Sequence, residues 1–280
     1  MASRSWPSSD RVGNERACRI VEDPRSVEAR FGLRHCGPTE AGGYRCRFGA
    51  PEWLRDDDGR PLRGALAVLV DHVLGELPYR RREPDKWPLT AELAFDIVGE
   101  LPVGAEMLVA EAVAVPTAVD PFLQCRIRAE DGTVLVVGSA RMVYVGATAR
   151  EASETLVVPD VPVDETSVDG MLGLSRSPTE EGCQISVTKA GRWVNDFGIL
   201  HGGVSAAVSE FAAAEAVRAH NPALATAHMQ ISFLRPVAAD DRFVASARVL
   251  HIGRSSAVIE VLGRGGHDEL CTVSVVTARL

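Results

Sequence analysis

The sequence predicts an α+β fold in which one unit is written twice, each copy an antiparallel sheet wrapped around a long central helix. Three observations carry this reading. Two segments, about Gly64 to Leu77 and about Gly203 to His220, read as helices that are apolar on nearly every face. Each follows a short alternating stretch and a tryptophan-bearing loop, and each precedes four segments with period-two alternation. The second series repeats the first in the same order, the signature of a duplicated unit.

The elements follow in order. Residues 1–27 are polar and rich in Pro, Gly and Ser, and are expected to form a loose arm. The first unit spans 28–147. Its strand Tyr44 to Phe48 leads through Trp53 and the acidic turn Asp56-Asp57-Asp58-Gly59 into the first helix. Pro78 is expected to seal that helix, because proline lacks the amide and clashes with the preceding turn. Arg80-Arg81-Arg82, diluted at once by Glu83 and Asp85, reads as a solvated loop, with contact to ligand phosphates as the competing reading. Strands are expected at Thr90 to Val98, Glu106 to Val115, Phe122 to Ala129 and Thr133 to Val145. A linker over 148–165 holds Pro159, Pro162 and the apolar run Leu156-Val157-Val158.

The second unit spans 166–280. A strand at Cys183 to Val187 leads through Trp193, Asn195 and Gly198 into the second helix, which Asn221-Pro222 stops. Strands are expected at Thr226 to Leu234, Arg242 to His251, Ser255 to Leu262 and Leu270 to Leu280. Local matches reinforce the repeat: Thr90-Ala91 with Thr226-Ala227, Gly64-Ala65 with Gly203-Val204, and Asp71 with Glu210 at the same helical step. Helices such as Ala65-Leu66-Ala67-Val68-Leu69-Val70 must be buried on most faces, so a sheet has to cover them.

Composition bounds the function. The net charge of −8 argues against nucleic acid, which would call for a concentrated basic face. Met1 to Asp10 lacks an apolar core of signal-peptide length, and no stretch approaches the roughly 18–20 apolar residues of a membrane span. The expectation is a cytoplasmic protein with no membrane partner. Cys18, Cys36, Cys46, Cys125, Cys183 and Cys271 are scattered without a C-x-x-C pair, and are expected as reduced, packed thiols with no metal.

The chemistry-bearing motif is Asn195-Asp196-Phe197-Gly198-Ile199-Leu200-His201-Gly202-Gly203, then six residues, then Glu210. With Thr226-Ala227, Phe233-Leu234-Arg235-Pro236-Val237 and His251-Ile252-Gly253-Arg254, it resembles the hot-dog thioesterases of the phenylacetyl-CoA thioesterase (PaaI) type. The resemblance covers Thr166 to Leu280 closely and Tyr44 to Val145 more loosely. It implies a tandem (double) hot-dog that hydrolyses acyl-CoA thioesters, with no cofactor beyond the coenzyme A of its substrate. It also implies that the Gly202 amide is the oxyanion donor, that Asn195 and His201 position the thioester or water, and that a carboxylate acts as nucleophile or general base. Gly203 belongs to the substrate-binding set. Physics agrees with the place: a helix N-terminus offers unpaired amides and the positive end of the dipole.

Gly202 and Glu210 lie eight residues apart on one helix, about 12 Å at 1.5 Å per residue. Glu210 therefore cannot reach its own helix start. The family's antiparallel central helices imply that Asp71 serves the site of Asn195, His201 and Gly202, while Glu210 faces Gly64. The first-half start departs from the pattern: Leu62, Arg63 and Gly64 stand where His201, Gly202 and Gly203 do, and Asp56 stands for Asn195. That end reads as degenerate or repurposed around Glu210 and Arg63, with Arg63 and Gly64 as candidate ligand-holding residues. Bland readings stand beside these. His72 is taken as structural and His220 as a helix end. His228 is left between lining and core, and Trp53, Trp87 and Trp193 are taken as packing. The non-enzymatic alternative is an acyl-CoA-binding or sensing module. By the same resemblance the double unit is expected to form a homodimer.

Overall fold

The computed structural model describes residues 23–117, 120–146, 166–188 and 190–280. The linker expected at 148–165 and most of the expected arm, residues 1–22, lie outside these. The first half runs α1 (Val27–Arg30), β1 (Leu33–Pro38), β2 (Tyr44–Phe48), α2 (Ala65–Arg81), β3 (Lys86–Ile97), β4 (Leu108–Val115), β5 (Phe122–Arg128) and β6 (Val134–Gly146). The second runs α3 (Val168–Leu172), β7 (Leu174–Thr179), β8 (Gly182–Val187), α4 (Gly202–Arg218), β9 (Ala225–Phe233), β10 (Phe243–Ile252), β11 (Ser256–Arg264) and β12 (Leu270–Arg279).

All twelve strands form one sheet in the order β1-β2-β4-β5-β6-β3-β9-β12-β11-β10-β8-β7, and every neighbouring pair is antiparallel. The order reads the same from either end once the halves are superposed in sequence order. The halves join where β3 pairs with β9, from Glu92↔Ser232 to Asp96↔His228, with Ala94↔Gln230 in the middle. Counting from Thr90 and Thr226, Ala94 and Gln230 occupy the same step, so the pseudo-twofold axis passes through that pair.

Helices α2 and α4 are each 17 residues long and buried on nearly all faces, as their apolar sequences require. Helix α2 packs on β2 to β6, α4 packs on β8 to β12, and the two helices pack on each other. Their contact is backbone-close. A Cβ on Gly203 would lie 2.6 Å from Val68 Cα, and a Cβ on Gly64 would lie 2.8 Å from the Ala207 carbonyl oxygen. Because 203 meets 68 while 64 meets 207, the helices run antiparallel.

The structure corrects several expectations. Helix α2 does not stop at Pro78 but continues through it to Arg81. Proline costs the helix an amide bond, and side chains hold the final turn instead: Tyr144 donates to the Pro78 carbonyl at 3.2 Å and Arg82 to the Tyr79 carbonyl at 2.6 Å. The arginine run is therefore no solvated loop. Arg80 pairs with Glu76 at 3.2 Å, and Arg82 stacks over Tyr79 and Trp87. Edge strands β1 and β7 escaped the sequence reading because neither alternates: β1 carries a register shift between Arg34 and Gly37, and β7 is mostly exposed. Cys36 and Cys46 are not free thiols. The bulged β1–β2 ladder puts their sulfurs side by side in a disulfide, while Cys125, Cys183 and Cys271 remain free and buried. Among the described residues no helix is long and apolar enough to cross a membrane.

The helix crossing yields a stability prediction. At Gly203→Ala the new methyl meets backbone, which cannot swing aside. An overpacking cost of about 1–3 kcal/mol should therefore exceed the helix-propensity gain of about 1 kcal/mol. Denaturant melts should show a net loss for Gly203→Ala. Gly146→Ala, whose methyl would meet nothing within 4 Å, should be neutral or slightly stabilising. Equal stability of both variants would contradict the close crossing.

Candidate active site

The antiparallel crossing carries the middle of each helix to the start of the other. Asp71, in the middle of α2, meets the start of α4: its Oδ2 accepts from the Gly203 amide at 2.8 Å. Thr90, on β3, donates to Asp71 Oδ1 at 2.8 Å. The carboxylate is buried at 7% exposure. A group so placed is costly unless hydrogen-bonded, and these two donors supply that.

His201 caps α4. Its Nδ1 accepts from the Gly203 amide at 3.1 Å and stands 3.3 Å from Asp71 Oδ2. An accepting Nδ1 leaves the proton of the neutral ring on Nε2. That nitrogen faces Glu28 Oε1 at 3.6 Å, and the same oxygen lies 3.4 Å from His72 Nδ1. Glu28 belongs to α1, the short helix that ends the expected arm. Burial alone would depress the His201 pKa, but Glu28 on one nitrogen and Asp71 on the other outweigh it, so the pKa is raised. His72 is raised as well, Glu28 overcoming burial there. The Glu28 carboxyl is held well below its ordinary value: burial would raise it, and hydrogen bonds from His201 and His72 prevail.

The first turn of α4 has a further property. Gly203 N is taken by Asp71 and His201, while Val204 N and Ser205 N bond to the His201 carbonyl at 3.0 and 3.1 Å. Gly202 N alone in that turn has no partner among the described residues. A Cβ on Gly202 would sit 3.0 Å from Asp71 Oδ2, so this amide and that carboxylate border the same small space. Asn195 Oδ1 accepts from Phe197 N at 2.9 Å, folding the loop as an Asx-turn and leaving Nδ2 without a partner among the described residues. Among the described residues no hydrogen bond joins Asn195 to Asp71 or His201, so polar contacts bring together Asp71, His201 and Gly203, with Gly202 beside them and Asn195 on the adjoining loop. That loop is pinned to the first half, with the rings of Phe197 and Trp87 edge-on at 3.9 Å.

At the other end the symmetry holds in outline. Glu210 is 2% exposed, and its Oε1 accepts from Thr226 Oγ1 at 2.5 Å. Its Oε2 lies against Gly64, where a Cβ would come within 2.7 Å, and burial raises its pKa against the Thr226 bond and the nearby Arg63. Arg63 donates to the Thr226 carbonyl, and burial lowers its pKa against Glu210. Asp56 is close enough for its charge to act on Arg63 but is held in its own turn. Its Oδ1 accepts from Asp58 N at 3.0 Å and Arg60 N at 2.8 Å, closing the acidic turn.

Sequence reasoning missed Thr90, Thr226 and Glu28. The matched Thr-Ala dipeptides were the available signal for the threonines, which play equivalent parts on the two carboxylates. Glu28 had none, because it lies in a polar stretch before the first recognisable strand. His228, left between lining and core, is neither: it pairs with Asp96 at 2.9 Å on the exposed β3–β9 joint.

The His201 geometry predicts a titration. A raised folded pKa contributes stability that is complete below the unfolded value of about 6.5 and lost as pH climbs through the folded value. NMR of the ring should place the His201 midpoint above that of free histidine, with unfolding free energy falling as pH rises through it. In Asp71→Asn the midpoint should drop. An unmoved midpoint would show that Asp71 does not face the ring.

A model of the thioesterase superfamily matches residues 197–272. No curated protein sequence matches the chain. Among solved structures, acyl-CoA thioesterase II TesB2 of Mycobacterium marinum is similar at 14% identity and a TM-score of 0.58, over 91% of this chain and 97% of its own. The 12:0-ACP thioesterase of Umbellularia californica is similar at 10% identity and 0.60, over 85% and 94%. A hot-dog-fold protein of unknown function from Alicyclobacillus acidocaldarius is similar at 14% and 0.59, over 90% and 97%. Such identities carry fold alone. The chain thus has the hot-dog thioesterase fold over most of its length, and its motif-bearing segment matches the thioesterase superfamily.

Proposed function

We propose that this protein is a double hot-dog of the phenylacetyl-CoA thioesterase type that hydrolyses acyl-CoA to free acid and CoA at the start of α4. The observation that carries the proposal is the Gly202 amide, the unpartnered first-turn donor, beside the buried carboxylate of Asp71. A thioester carbonyl bound to Gly202 N gains negative charge as it is attacked. A positioned donor at a helix start is worth about 3–4 kcal/mol to that transition state.

Asp71 takes the proton of a water as the water oxygen bonds to the carbonyl carbon, or attacks that carbon itself. The second route expels the CoA thiolate and leaves a mixed anhydride, which water then hydrolyses to the free acid and the Asp71 carboxylate. In the first route the tetrahedral intermediate collapses, the C–S bond breaks, and a proton held by Asp71 or His201 passes to the leaving thiolate. Asn195 Nδ2, free on the adjoining loop, orients the thioester. At the other end Arg63 stands where the first glycine would be, donates to the Thr226 carbonyl and lies near Glu210, so that end is read as inactive.

Thiol release from a panel of acyl-CoAs tests the reaction. Asp71→Asn should lower turnover roughly 10²–10⁴-fold, and Glu210→Gln far less, with thermal melts confirming that both variants fold. Full activity in Asp71→Asn with none in Glu210→Gln would show that the working carboxylate is the other one. If no member of the panel is hydrolysed but acyl-CoA binds, the sensing reading replaces this one. The protein is also proposed to assemble as a homodimer of double units. Light scattering should then give twice the chain mass, and a clean 30 kDa species across micromolar concentrations would refute it.

A further inference from the structure

Outside the proposed catalytic groups, the tertiary structure gathers three soft ligands that the sequence scatters. The Sγ atoms of Cys36 (β1) and Cys46 (β2) and a ring nitrogen of His72 (α2) all lie within 4.8 Å of one another. All three residues are buried, at 8%, 0% and 7% exposure. The His72 ring is oriented for coordination. His72 Nδ1 stands 3.4 Å from the Glu28 carboxylate, whereas Nε2 is a buried nitrogen with no hydrogen-bond partner among the described residues. A metal-binding histidine characteristically turns one nitrogen to the metal and the other to a carboxylate. Tyr44, two residues before Cys46, meets the His72 ring edge-on at 5.9 Å and limits its rotation.

We propose that Cys36, Cys46 and His72 form a zinc site that the Cys36–Cys46 disulfide closes and reduction opens. A dithiol reductant breaks the S–S bond, supplies two electrons and two protons, and departs as its own disulfide. Zinc then displaces both thiol protons and binds two thiolates and His72 Nε2, with a fourth position for water. Tetrahedral zinc, with sulfur at about 2.3 Å and nitrogen at about 2.0–2.1 Å, separates its ligand atoms by roughly 3.5–3.8 Å. The present cluster reaches that spacing by parting the two sulfurs. Two thiolates neutralise the ion, so the buried complex carries no net charge. Glu28 stays outside it as the acceptor for His72 Nδ1. Through the same oxygen it also faces His201, so the zinc site and the proposed catalytic site share one carboxylate.

The test uses the full chain, stripped of metal and reduced anaerobically with a phosphine, then titrated with Zn²⁺ against a chromophoric chelator and separately with Co²⁺. One Zn²⁺ should bind per reduced chain, and Co²⁺ should give thiolate-to-metal charge-transfer absorption. The unreduced chain should show neither. Cys46→Ser should abolish the charge-transfer band, and Glu28→Gln should weaken binding about 10–100-fold. Failure of the reduced chain to bind either ion overturns the proposal without recourse to a variant. So does equal binding by the unreduced chain, or a Co²⁺ spectrum that Cys46→Ser leaves unchanged.

Discussion

Two buried helices meeting backbone against backbone are the constraint from which the rest of the molecule follows. Gly64 and Gly203 each face the partner helix where a Cβ would strike backbone, so α2 and α4 lie closer than side chains would allow. Antiparallel contact at that distance places the start of each helix against the middle of the other. The amides of a helix start lack intrahelical acceptors, and a carboxylate from the facing helix is the natural group to meet them. Asp71 and Glu210 are buried because the crossing buries them, and they are tolerable there because Gly203 and Thr90 donate to Asp71 and Thr226 donates to Glu210.

From this shared frame the two ends diverge through few residues. Histidine at 201 gives the α4 end a titratable cap lying between two carboxylates, and glycine at 202 leaves an amide open. At the α2 end, leucine and arginine replace them. Arg63 reaches the Thr226 carbonyl and faces Glu210, filling with its own charge the space that the other end keeps open. One duplicated scaffold thus carries two helix starts of different chemistry.

Glu28 ties this asymmetry to the segment that precedes the repeats. Its single carboxylate stands between His72 and His201, although nothing in the flanking sequence marks it as a site residue. Its neighbours Val27 and Phe31 are buried, and Phe31 is met edge-on by Trp53 of the first half and Trp193 of the second. The stretch read as a loose arm therefore ends by docking between the repeats.

The family resemblance implied the assignment of Asp71 to the α4 end; the sequence by itself determined the duplication, the two central helices, the alternating strands and the exclusion of Glu210 from its own helix start. Each rests on local periodicity or on the rise per residue of a helix, and both are properties of neighbours along the chain. It could not mark the edge strands, because a bulged strand and a mostly exposed one do not alternate. It misjudged Pro78, whose turn is held by Tyr144 from a distant strand. It also misjudged Cys36 and Cys46, whose pairing depends on the β1–β2 register. Only the tertiary structure decided that Glu28 joins two histidines and that two threonines satisfy the buried carboxylates. Those contacts link residues far apart in the chain, and no one-dimensional pattern records a distance closed by folding.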